Sequence, residues 1–515
     1  MSFIAVLNKL EKKFPVNSLR IDGMHIWPLV RLRINTRRKY ALNKQSPLYA
    51  LVSIAKAVCF YLASLVLVRK INAQRKRLDS QIAEILFQIG KLDKTDFLIL
   101  CLEKEHYQKI EGKPFAPLLD SLISISGSEQ RFMKVSLAWK GDVEPFYPTH
   151  NLNLSPFVSR SKIDSLNYPT SLRSLLQSIL AAGWLGLLAL YLKVLDSDYS
   201  IDIPDVMELI AKMRGQRVLF RKLLITVRPQ AVLMTSYIGR IGLVSAAREL
   251  RIPVFDIQHG GMYKDHALSA NWNAIPEGGY HYLPDYFWCW NQTAGEIVEN
   301  CSGSIVDLPK PFVGGHPWLG LCSSEHNNLL LTHDQNSFLA NVFQDPRRTV
   351  LLALQYGAGS NLESFVVDLI KETSEKWKWL IRLHPMGKDM KQELTKELPN
   401  IQAIEEIDVV SEIPLHILLK EVDHVITGFS SIGTEAMNFG IRTTIFSPIG
   451  LKFFKLEIES GAYDYADNKE SLKQSILNPC SLSAEQKMNI SAIPTNKNHL
   501  ISFMEIVKNS QSSAK

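Results

Sequence analysis

The chain has 515 residues, of which 46% are hydrophobic and 21% are charged. This composition excludes an intrinsically disordered protein, and the length predicts two substantial domains with additional elements. Six cysteines lie far apart, without a CxxC pair or a neighbouring histidine cluster, which excludes a disulfide framework and a structural zinc site. The formal net charge of +7 is compatible with an anionic ligand, an anionic membrane surface or nucleic acid.

The first 90 residues are basic and predict helices without strand alternation, as in an extension that precedes the first α/β domain. Residues 1–17 lack the pattern of a secretory signal, so we expect a cytoplasmic protein. An apolar run at 48–68 has basic residues on both sides, which predicts a helix in or on an anionic membrane. Lys56 opposes a full span, and the alternative is a helix packed on the first domain. A second apolar run, 179–192, is too short to span and is predicted to be core.

Short apolar runs then alternate with helical stretches, which predicts parallel sheets covered by helices on both faces. A first domain over 91–315 has predicted strands at 96–102, 133–138, 231–234, 253–257 and 286–290. A Pro- and Gly-rich boundary at 308–315 leads into a linker over 316–348. The second domain, 349–495, has predicted strands at 350–354, 379–383, 424–427 and 443–446 and helices at 362–377, 388–398 and 432–439. A C-terminal helix and tail are predicted over 496–515.

The two domains contain similar segments. Residues 231–260 and 424–450 both predict a strand, a turn of small residues, a helix and a second short strand. Each half therefore presents a helix N-terminus at the carboxyl edge of its sheet, where open α/β sheets bind ligands. We expect an α/β fold in which two such domains face each other across a cleft.

The strongest binding pattern lies in the second domain. Gly428, Ser430 and Ser431 stand between a predicted buried strand and a helix, where backbone N–H groups, hydroxyls and the helix dipole can bind a phosphate. The alternative is ordinary helix N-capping by Ser430 or Ser431. Glu435 lies one helical turn further on and is predicted to accept hydrogen bonds from ribose hydroxyls, although a plain surface glutamate has the same pattern.

Another predicted strand of this domain ends at His384 and Pro385. Proline directs the chain away from the strand, and a histidine at the carboxyl edge can donate to phosphate or offset charge on a leaving group. Gln355, which follows the strand at 350–354, is predicted to line the cleft.

In the first domain, Gln258, His259 and Gly260 follow a predicted strand, and the glycine lets a ligand approach the backbone. We expect Gln258 and Gly260 to line the cleft, with His259 as a catalytic candidate; a polar turn with a satisfied histidine is the alternative. The candidates for a general base or a carboxylate nucleophile are acidic residues near the ends of strands, and the sequence does not rank them: Glu103, Glu105, Asp256 and Asp265.

Other catalytic classes lack their motifs. No Walker motif is present, which disfavours an ATPase or a kinase. No DxD-like pair stands at a strand end, so we expect a reaction without a bound metal and without a cofactor.

Four motifs together support a family resemblance: QHGG at 258–261, GGHP at 314–317, RLHP at 382–385 and GFSSIGTEAMNFG at 428–440. With them, residues 95–480 resemble bacterial capsule and lipopolysaccharide glycosyltransferases of the GT-B fold, which have two Rossmann-like domains. The group includes the Kdo transferases of capsule assembly and the bacterial polysialyltransferases, and more distantly the CDP-glycerol glycerophosphotransferases. The stretch 22–28 departs from the best-known members and receives no assignment.

The resemblance implies a nucleotide-sugar donor, a CMP-linked acidic sugar such as Kdo being favoured, whose phosphate is held by His384, Pro385, Ser430 and Ser431. It also implies a glycan or lipid-linked glycan acceptor, a location at the cytoplasmic face of the inner membrane and no nucleic-acid partner. CDP-glycerol-type phosphotransfer, a non-catalytic membrane-bound scaffold and a nucleotide-sugar epimerase are the alternatives. An epimerase would need no acceptor and would leave the basic, membrane-seeking segment without a purpose.

Overall fold

The computed structural model describes most of the chain. The described residues are 3–36, 48–137, 141–163, 169, 171–196, 199–262, 272–302, 309–322, 331–355, 362–384, 387, 390–478, 483 and 491–512.

The first domain begins with short strands and helices that precede its main sheet. These elements are α1 (Phe3–Lys13), β1 (Arg20–Ile21), β2 (Met24–His25), α2 (Trp27–Arg31), β3 (Ile34–Thr36), α3 (Leu48–Val66) and α4 (Val68–Gly90). The rest of the domain consists of β4 (Phe97–Cys101), β5 (Gln108–Ile110), β6 (Lys113–Phe115), α5 (Pro117–Ser126), β7 (Phe132–Leu137), β8 (Thr149–Leu152), α6 (Ser155–Ile163), α7 (Leu172–Leu195), β9 (Tyr199–Ile201), α8 (Ile203–Val227), β10 (Ala231–Thr235), α9 (Ile241–Glu249), β11 (Val254–Ile257), β12 (Tyr286–Cys289), α10 (Gln292–Ser302), β13 (Lys310–Val313) and α11 (Pro317–Cys322).

The main sheet of the first domain has seven parallel strands in the order β13-β12-β11-β10-β4-β7-β8. Strand β4, which lies inside the sheet between β10 and β7, is buried along its whole length. Leu98 and Leu100 pack into the core on one face, and Phe97 and Ile99 pack into the core on the other. This alternation follows from the two-residue period of a strand and explains why β4 is a continuous apolar run.

The second domain repeats this architecture on a smaller scale. Its elements are α12 (His333–Gln344), β14 (Arg348–Ala353), α13 (Ser364–Thr373), β15 (Trp377–Arg382), α14 (Met390–Glu397), α15 (Gln402–Glu405), α16 (Ile407–Glu412), α17 (Leu415–Leu418), β16 (His424–Thr427), α18 (Ile432–Asn438), β17 (Arg442–Ile445), α19 (Pro448–Phe453), α20 (Lys455–Glu459), β18 (Tyr463–Tyr465) and α21 (Lys469–Leu477). The five strands are parallel, in the order β15-β14-β16-β17-β18. The predicted class of two parallel α/β domains is therefore confirmed.

The register of the second sheet brings its predicted binding residues together. Ala353 at the end of β14 pairs with Arg382 of β15 and with Thr427 of β16, and Thr427 pairs with Ile445 of β17. Because parallel strands end at one edge, the loops that follow these four strands lie side by side.

The N-terminal segment differs from the expected extension. Residues 3–34 are part of the core of the first domain, where Trp27 is fully buried. Arg31 is also buried, at 2.5 Å from Glu11, which in turn accepts a hydrogen bond from the Trp27 indole N–H at 2.8 Å. A buried guanidinium requires such a partner, and Glu11 supplies it from twenty residues earlier. The unassigned stretch 22–28 is the centre of this core segment.

Two apolar helices, α3 and α7, pack against each other beside this segment. The apolar segment predicted at 179–192 is shorter than the helix that contains it, because α7 has 24 residues. Within the described chain, α7 is long and apolar enough to cross a membrane, and half of its most apolar window is buried in the protein. The helix pair α3 and α4 would pass the same test only as one span, but it bends by 91°.

The chain crosses between the domains twice. At the first crossing His316 donates its backbone N–H to Ile493 at 2.6 Å, and its carbonyl accepts from Thr495 at 3.2 Å. The second crossing leads into α22 (Lys497–Ser512), which returns to the first domain. There Phe503 lies 5.1 Å from Phe97 and 4.9 Å from Phe255, measured between ring centroids. The predicted C-terminal helix thus completes one face of the first sheet.

Candidate active site

Residues of the two domains meet where the carboxyl ends of both sheets are close together. Glu435 in α18 has its Oε2 atom 3.8 Å from His316 Nε2 of the first domain. The backbone N–H of Ala492 donates to the carbonyl of Thr434 at 3.2 Å, and the rings of Trp318 and His416 are 5.4 Å apart. These contacts border a cleft between the domains.

The turn between β16 and α18 is held from below by buried side chains. The hydroxyl of Thr427 donates to the carbonyl of Ala353 at 2.7 Å and accepts from the Ser430 N–H at 3.2 Å. Gln355 Oε1 accepts from the Phe429 N–H at 3.2 Å. Gln355, predicted to line the cleft, is instead buried beneath the turn.

Glycines make the close packing of this turn possible. A Cβ atom on Gly428 would come within 2.6 Å of the Gln355 amide nitrogen. A Cβ on Gly450, in the first turn of α19, would overlap the carbonyl oxygen of Gly428. The Ser447 hydroxyl donates to that same carbonyl at 3.1 Å and accepts from the Gly450 N–H at 3.1 Å. Ser447 and Gly450 were not among the predicted site residues, although serine before proline is an N-terminal helix signal.

The two serines of the turn differ in their roles. Ser430 Oγ accepts weakly from the Ile432 N–H at 3.4 Å, whereas Ser431, at the N-cap position of α18, makes no side-chain capping bond. Helix N-capping, the alternative function of these two serines, is therefore weak at Ser430 and absent at Ser431. The backbone of the turn and the Ser431 hydroxyl lie where a phosphate would be expected at a helix N-terminus.

Glu435 is not a plain surface residue. Its side chain is 13% exposed, and burial raises its pKa to about 7, an effect that Arg382 partly offsets. Burial lowers the pKa of His316 to about 3, and Trp290 packs against this imidazole with ring centroids 4.2 Å apart and ring planes inclined by 41°. Both groups are therefore largely uncharged just below neutral pH.

Arg382 and Tyr107 extend this cluster to both domains. Arg382 donates from Nη1 to the carbonyls of Val410 and Ile413 at 2.7 and 2.6 Å, and burial lowers its pKa to about 10. Tyr107, from the first domain, lies close enough to Glu435 and Arg382 to interact with them electrostatically. The sequence analysis quoted Arg382 in a motif but gave it no role.

His384 is exposed just beyond the end of β15, as its position predicts, and desolvation lowers its pKa. Its carbonyl accepts the Gly387 N–H at 2.8 Å, which turns the chain back. Pro385 lies outside the described residues, as does Asp265.

In the first domain, Glu105 is held by three donors. Its Oε1 atom accepts from the Thr235 hydroxyl and from Arg240 Nη2, both at 2.5 Å, and Oε2 accepts from the Leu102 N–H at 2.7 Å. These partners outweigh burial and lower the pKa of Glu105. A carboxylate with its oxygens so occupied is suited to orient Arg240 rather than to act as a nucleophile. Glu103 lies in the same short turn and is partly exposed.

Asp256 near the end of β11 has the features of a general base. It is buried, Oδ2 accepts from the Tyr237 N–H at 3.2 Å, and Oδ1 has no hydrogen-bond partner within the described chain. Burial raises the pKa of Asp256 to about 7. Ser236, which precedes Tyr237, adopts φ 54°, an uncommon conformation for a residue other than glycine, and strain of this kind often accompanies functional sites.

The QHGG segment divides into buried and exposed parts. Gln258 does not line the cleft: it is buried, donates to the Gly260 carbonyl at 2.9 Å and accepts from the Trp290 N–H at 2.8 Å. Its amide is used to brace two backbone segments. His259 is exposed, and Gly260 beside it is partly exposed. The pKa of His259 is lowered, because desolvation outweighs the opposing effect of the nearby Glu105 charge.

The architecture is of the GT-B type, because two parallel α/β sheets approach each other at their carboxyl edges. No protein-family model matches the chain, and no curated protein matches it. Among the parts of the chain that the structure describes, no three His, Cys, Asp or Glu residues are grouped to hold a metal ion.

Several solved structures are similar. A UDP-GlcNAc 2-epimerase of Methanocaldococcus jannaschii in complex with UDP-GlcNAc and UDP is 13% identical, with a TM-score of 0.45, over 80% of this chain and 99% of that one. MnaA of S. aureus with UDP is 12% identical, with a TM-score of 0.45, over 81% and 97%. The wall teichoic acid polymerase TagF is 10% identical, with a TM-score of 0.43, over 92% and 100%.

Proposed function

We propose that the chain is a glycosyltransferase that moves a sugar from a nucleotide-activated donor to a glycan or lipid-linked glycan acceptor. The contact between Glu435 and His316 carries this proposal, because it brings the predicted donor turn against the first domain. The nucleotide phosphate binds at Gly428 and Ser431 with His384 beside it, and Glu435 accepts from the ribose. The buried Gln355 and Ser447 hold the backbone of this turn in place, Gln355 by accepting the Phe429 N–H and Ser447 by donating to the Gly428 carbonyl.

The opposite wall supplies the groups for the acceptor. Asp256 has a pKa near the working pH and an unpartnered oxygen, which suits a base that takes the proton of an acceptor hydroxyl. His259 is exposed in the same segment, and Glu105 holds Arg240 close by. Closure of the two domains around the donor would exclude water from the reaction.

A CMP-linked acidic sugar such as Kdo is the donor we propose, on the strength of the HP and Ser-Ser motifs. Arg382 adds positive charge beside the donor turn, which favours an acidic sugar. We propose no metal for this reaction, since Arg382 and the helix N-terminus can offset the charge of the leaving nucleotide. Transfer should therefore persist in the presence of a chelator.

Nucleotide binding is the first test. The full chain is melted with CMP, CDP, UDP, GDP and ADP, and a ligand at about 100 times its Kd stabilises by about 2.7 kcal/mol. CMP alone should raise the Tm, and His384→Ala and Ser431→Ala should remove most of that shift. Ser460→Ala, at an exposed position at the end of α20, is the control and should keep it.

The reaction itself is tested with a CMP-linked sugar with and without a polysaccharide acceptor. Release of CMP that depends on the acceptor is expected. Conversion of UDP-GlcNAc without an acceptor would replace the proposal with an epimerase, and transfer of glycerol phosphate from CDP-glycerol would replace it with a phosphotransferase. A chain that binds no nucleotide and still complements a deletion would be a scaffold.

We also propose that the protein is peripheral to the cytoplasmic face of the inner membrane, with α3 as a membrane-associated helix. The apolar composition of α3 and the bases of α4 that follow it support this location.

A further inference from the structure

The outward face of α7 is apolar from end to end. The residues along its exposed stripe are separated by three or four positions, and all but the central glycine are between 47% and 78% exposed: Leu172, Leu176, Leu180, Gly183, Leu187, Leu190 and Val194. A helix on the surface of a soluble domain normally has polar residues on this stripe. In α7 the small polar residues Ser174 and Ser178 are buried instead.

Helix α3 enlarges this apolar face. It packs against α7, and its exposed large apolar residues are again all aliphatic: Leu51, Val52, Leu62, Leu65 and Val66. The two helices come from distant parts of the sequence, so their common face exists only in the folded protein. Contiguous apolar surface of this kind indicates an interaction site.

The charged residues within the two helices are all basic, and Asp196 follows α7 as its C-cap. Neither α3 nor α7 contains an aspartate or glutamate. Arg173 and Lys193 are exposed in the first and last turns of α7. Beyond α3, the first half of α4 carries exposed Arg69, Lys70 and Lys76. An apolar centre with basic borders complements a surface that is apolar inside and anionic at its rim, which is the chemistry of an anionic bilayer.

The inner face of α7 shows how the helix must lie. Ala181, Leu185, Leu188 and Leu192 are buried in the core of the first domain. The helix could cross a bilayer only by leaving that core, which would expose the apolar residues of the first domain that now pack against it. An in-plane position buries the outer stripe in lipid and keeps the inner stripe in protein.

We propose that α3 and α7 together form a docking face that lies in the plane of an anionic membrane, with its leucines at the headgroup–acyl boundary and its bases on the headgroups. The proposal deepens the proposed membrane location and rests on it, but it does not depend on the transfer reaction. Lys56, on the exposed side of α3, can reach the headgroups with its amine while its methylenes stay among the acyl chains.

The test is flotation of the full chain with vesicles of phosphatidylcholine, with and without phosphatidylglycerol. The wild type should float with the anionic vesicles and be released by alkaline carbonate. Leu176→Gln with Leu180→Gln should reduce the bound fraction at least about tenfold, because both side chains lose their place in lipid. The matched control is Val218→Gln with Ile225→Gln, two exposed aliphatic residues on α8, which should bind as the wild type.

Other outcomes would overturn the docking face. If the Leu176/Leu180 variant floats as well as the wild type, α7 does not contact the membrane. If the wild type stays on the vesicles after alkaline carbonate, the in-plane position of the helices is contradicted. If neither protein floats and the variant converts a wild-type dimer to a monomer in sedimentation, the face binds a second copy instead. Nucleotide-induced stabilisation, measured on the same variants, should be unchanged, and His384→Ala should float normally, so that failure of docking and failure of the proposed reaction are distinct.

Discussion

Glu435 of the second domain and His316 of the first lie across the cleft from each other, 3.8 Å apart from Oε2 to Nε2. The raised pKa of Glu435 and the lowered pKa of His316 mean that this contact is not a standing ion pair. It is a polar contact in which the carboxyl group titrates near neutrality beside a neutral imidazole. Opening and closing of the cleft would change the solvation of both groups.

Stability should depend on pH through Glu435. Its pKa rises from 4.5 to about 7 on folding, so the folded state binds more protons between these values and stability falls as pH rises through this window. The shift corresponds to about 3 kcal/mol of the free energy of unfolding. Burial also raises the pKa values of Asp256 and Glu457 to about 7, so Glu435→Gln should remove only the share of this dependence that Glu435 contributes. Denaturant unfolding at pH 5 and pH 8 measures it, and an unchanged slope in the variant would contradict the assignment.

Removing the partner of Glu105 should destabilise the first domain. Arg240→Leu leaves a mostly buried carboxylate without its cation, which costs about 3–5 kcal/mol. The double variant Arg240→Leu with Glu105→Gln should regain part of this loss, because the uncompensated charge is gone. Denaturant unfolding of these two variants and of Glu105→Gln alone completes a double-mutant cycle. Additive losses would show that the two residues do not interact.

Gly450 should be intolerant of a side chain. Gly450→Ala forces a methyl group into the carbonyl of Gly428, so we expect a loss of more than about 2 kcal/mol and weakened nucleotide binding as the turn shifts. Gly90→Ala at the end of α4 has open space around the added carbon and should be neutral or stabilising by up to about 1 kcal/mol. Thermal melting with and without CMP compares them.

Asp256 should set the lower limb of the pH profile. A base with a pKa of about 7 makes kcat/KM rise with pH through that value. Asp256→Asn should lower the rate by about 10²–10⁴-fold and leave the CMP-induced rise in Tm intact. A variant with the wild-type rate would remove Asp256 from the chemistry, and one that also loses CMP binding would indicate a structural role.

The C-terminal helix should be essential to the first domain. Phe503→Ala empties the space between Phe97 and Phe255 and should cost about 3–5 kcal/mol. Ile501→Ala, on the exposed side of the same helix, should cost less than about 0.5 kcal/mol. Denaturant unfolding of both variants checks this. Equal losses in the free energy of unfolding would show that Phe503 does not pack in the core of the first domain.

The strands of both sheets were predictable because buried parallel strands are continuous apolar runs. All nine predicted strands correspond to β4, β7, β10, β11, β12 and to β14–β17. The strands that were missed are β1–β3, β5, β6, β8, β9, β13 and β18, since two to four residues show little periodicity. The membership of residues 3–34 in the core was also missed, because the burial of Arg31 depends on Glu11, and a charge pattern does not show its partners.

The site was predictable only as far as local patterns reach. Parallel strands end at one edge, so the neighbouring positions of the His384 and Ser430 loops followed from the fold class. The contact between Glu435 and His316 depends on how two domains are placed, which no local pattern contains. Gln258 was assigned to the cleft because it is polar, but its amide is needed by the backbone of Trp290 and Gly260.

The return of α22 makes the first domain depend on the order of synthesis. One face of its sheet is completed by Phe503 and Val507, which leave the ribosome after the whole second domain. Until then Phe97, Phe255 and Trp288 lack their covering helix, and the nascent first domain presents an incomplete core to chaperones and proteases. A chain that stops before α22 therefore keeps these apolar side chains exposed, even when its second domain has folded.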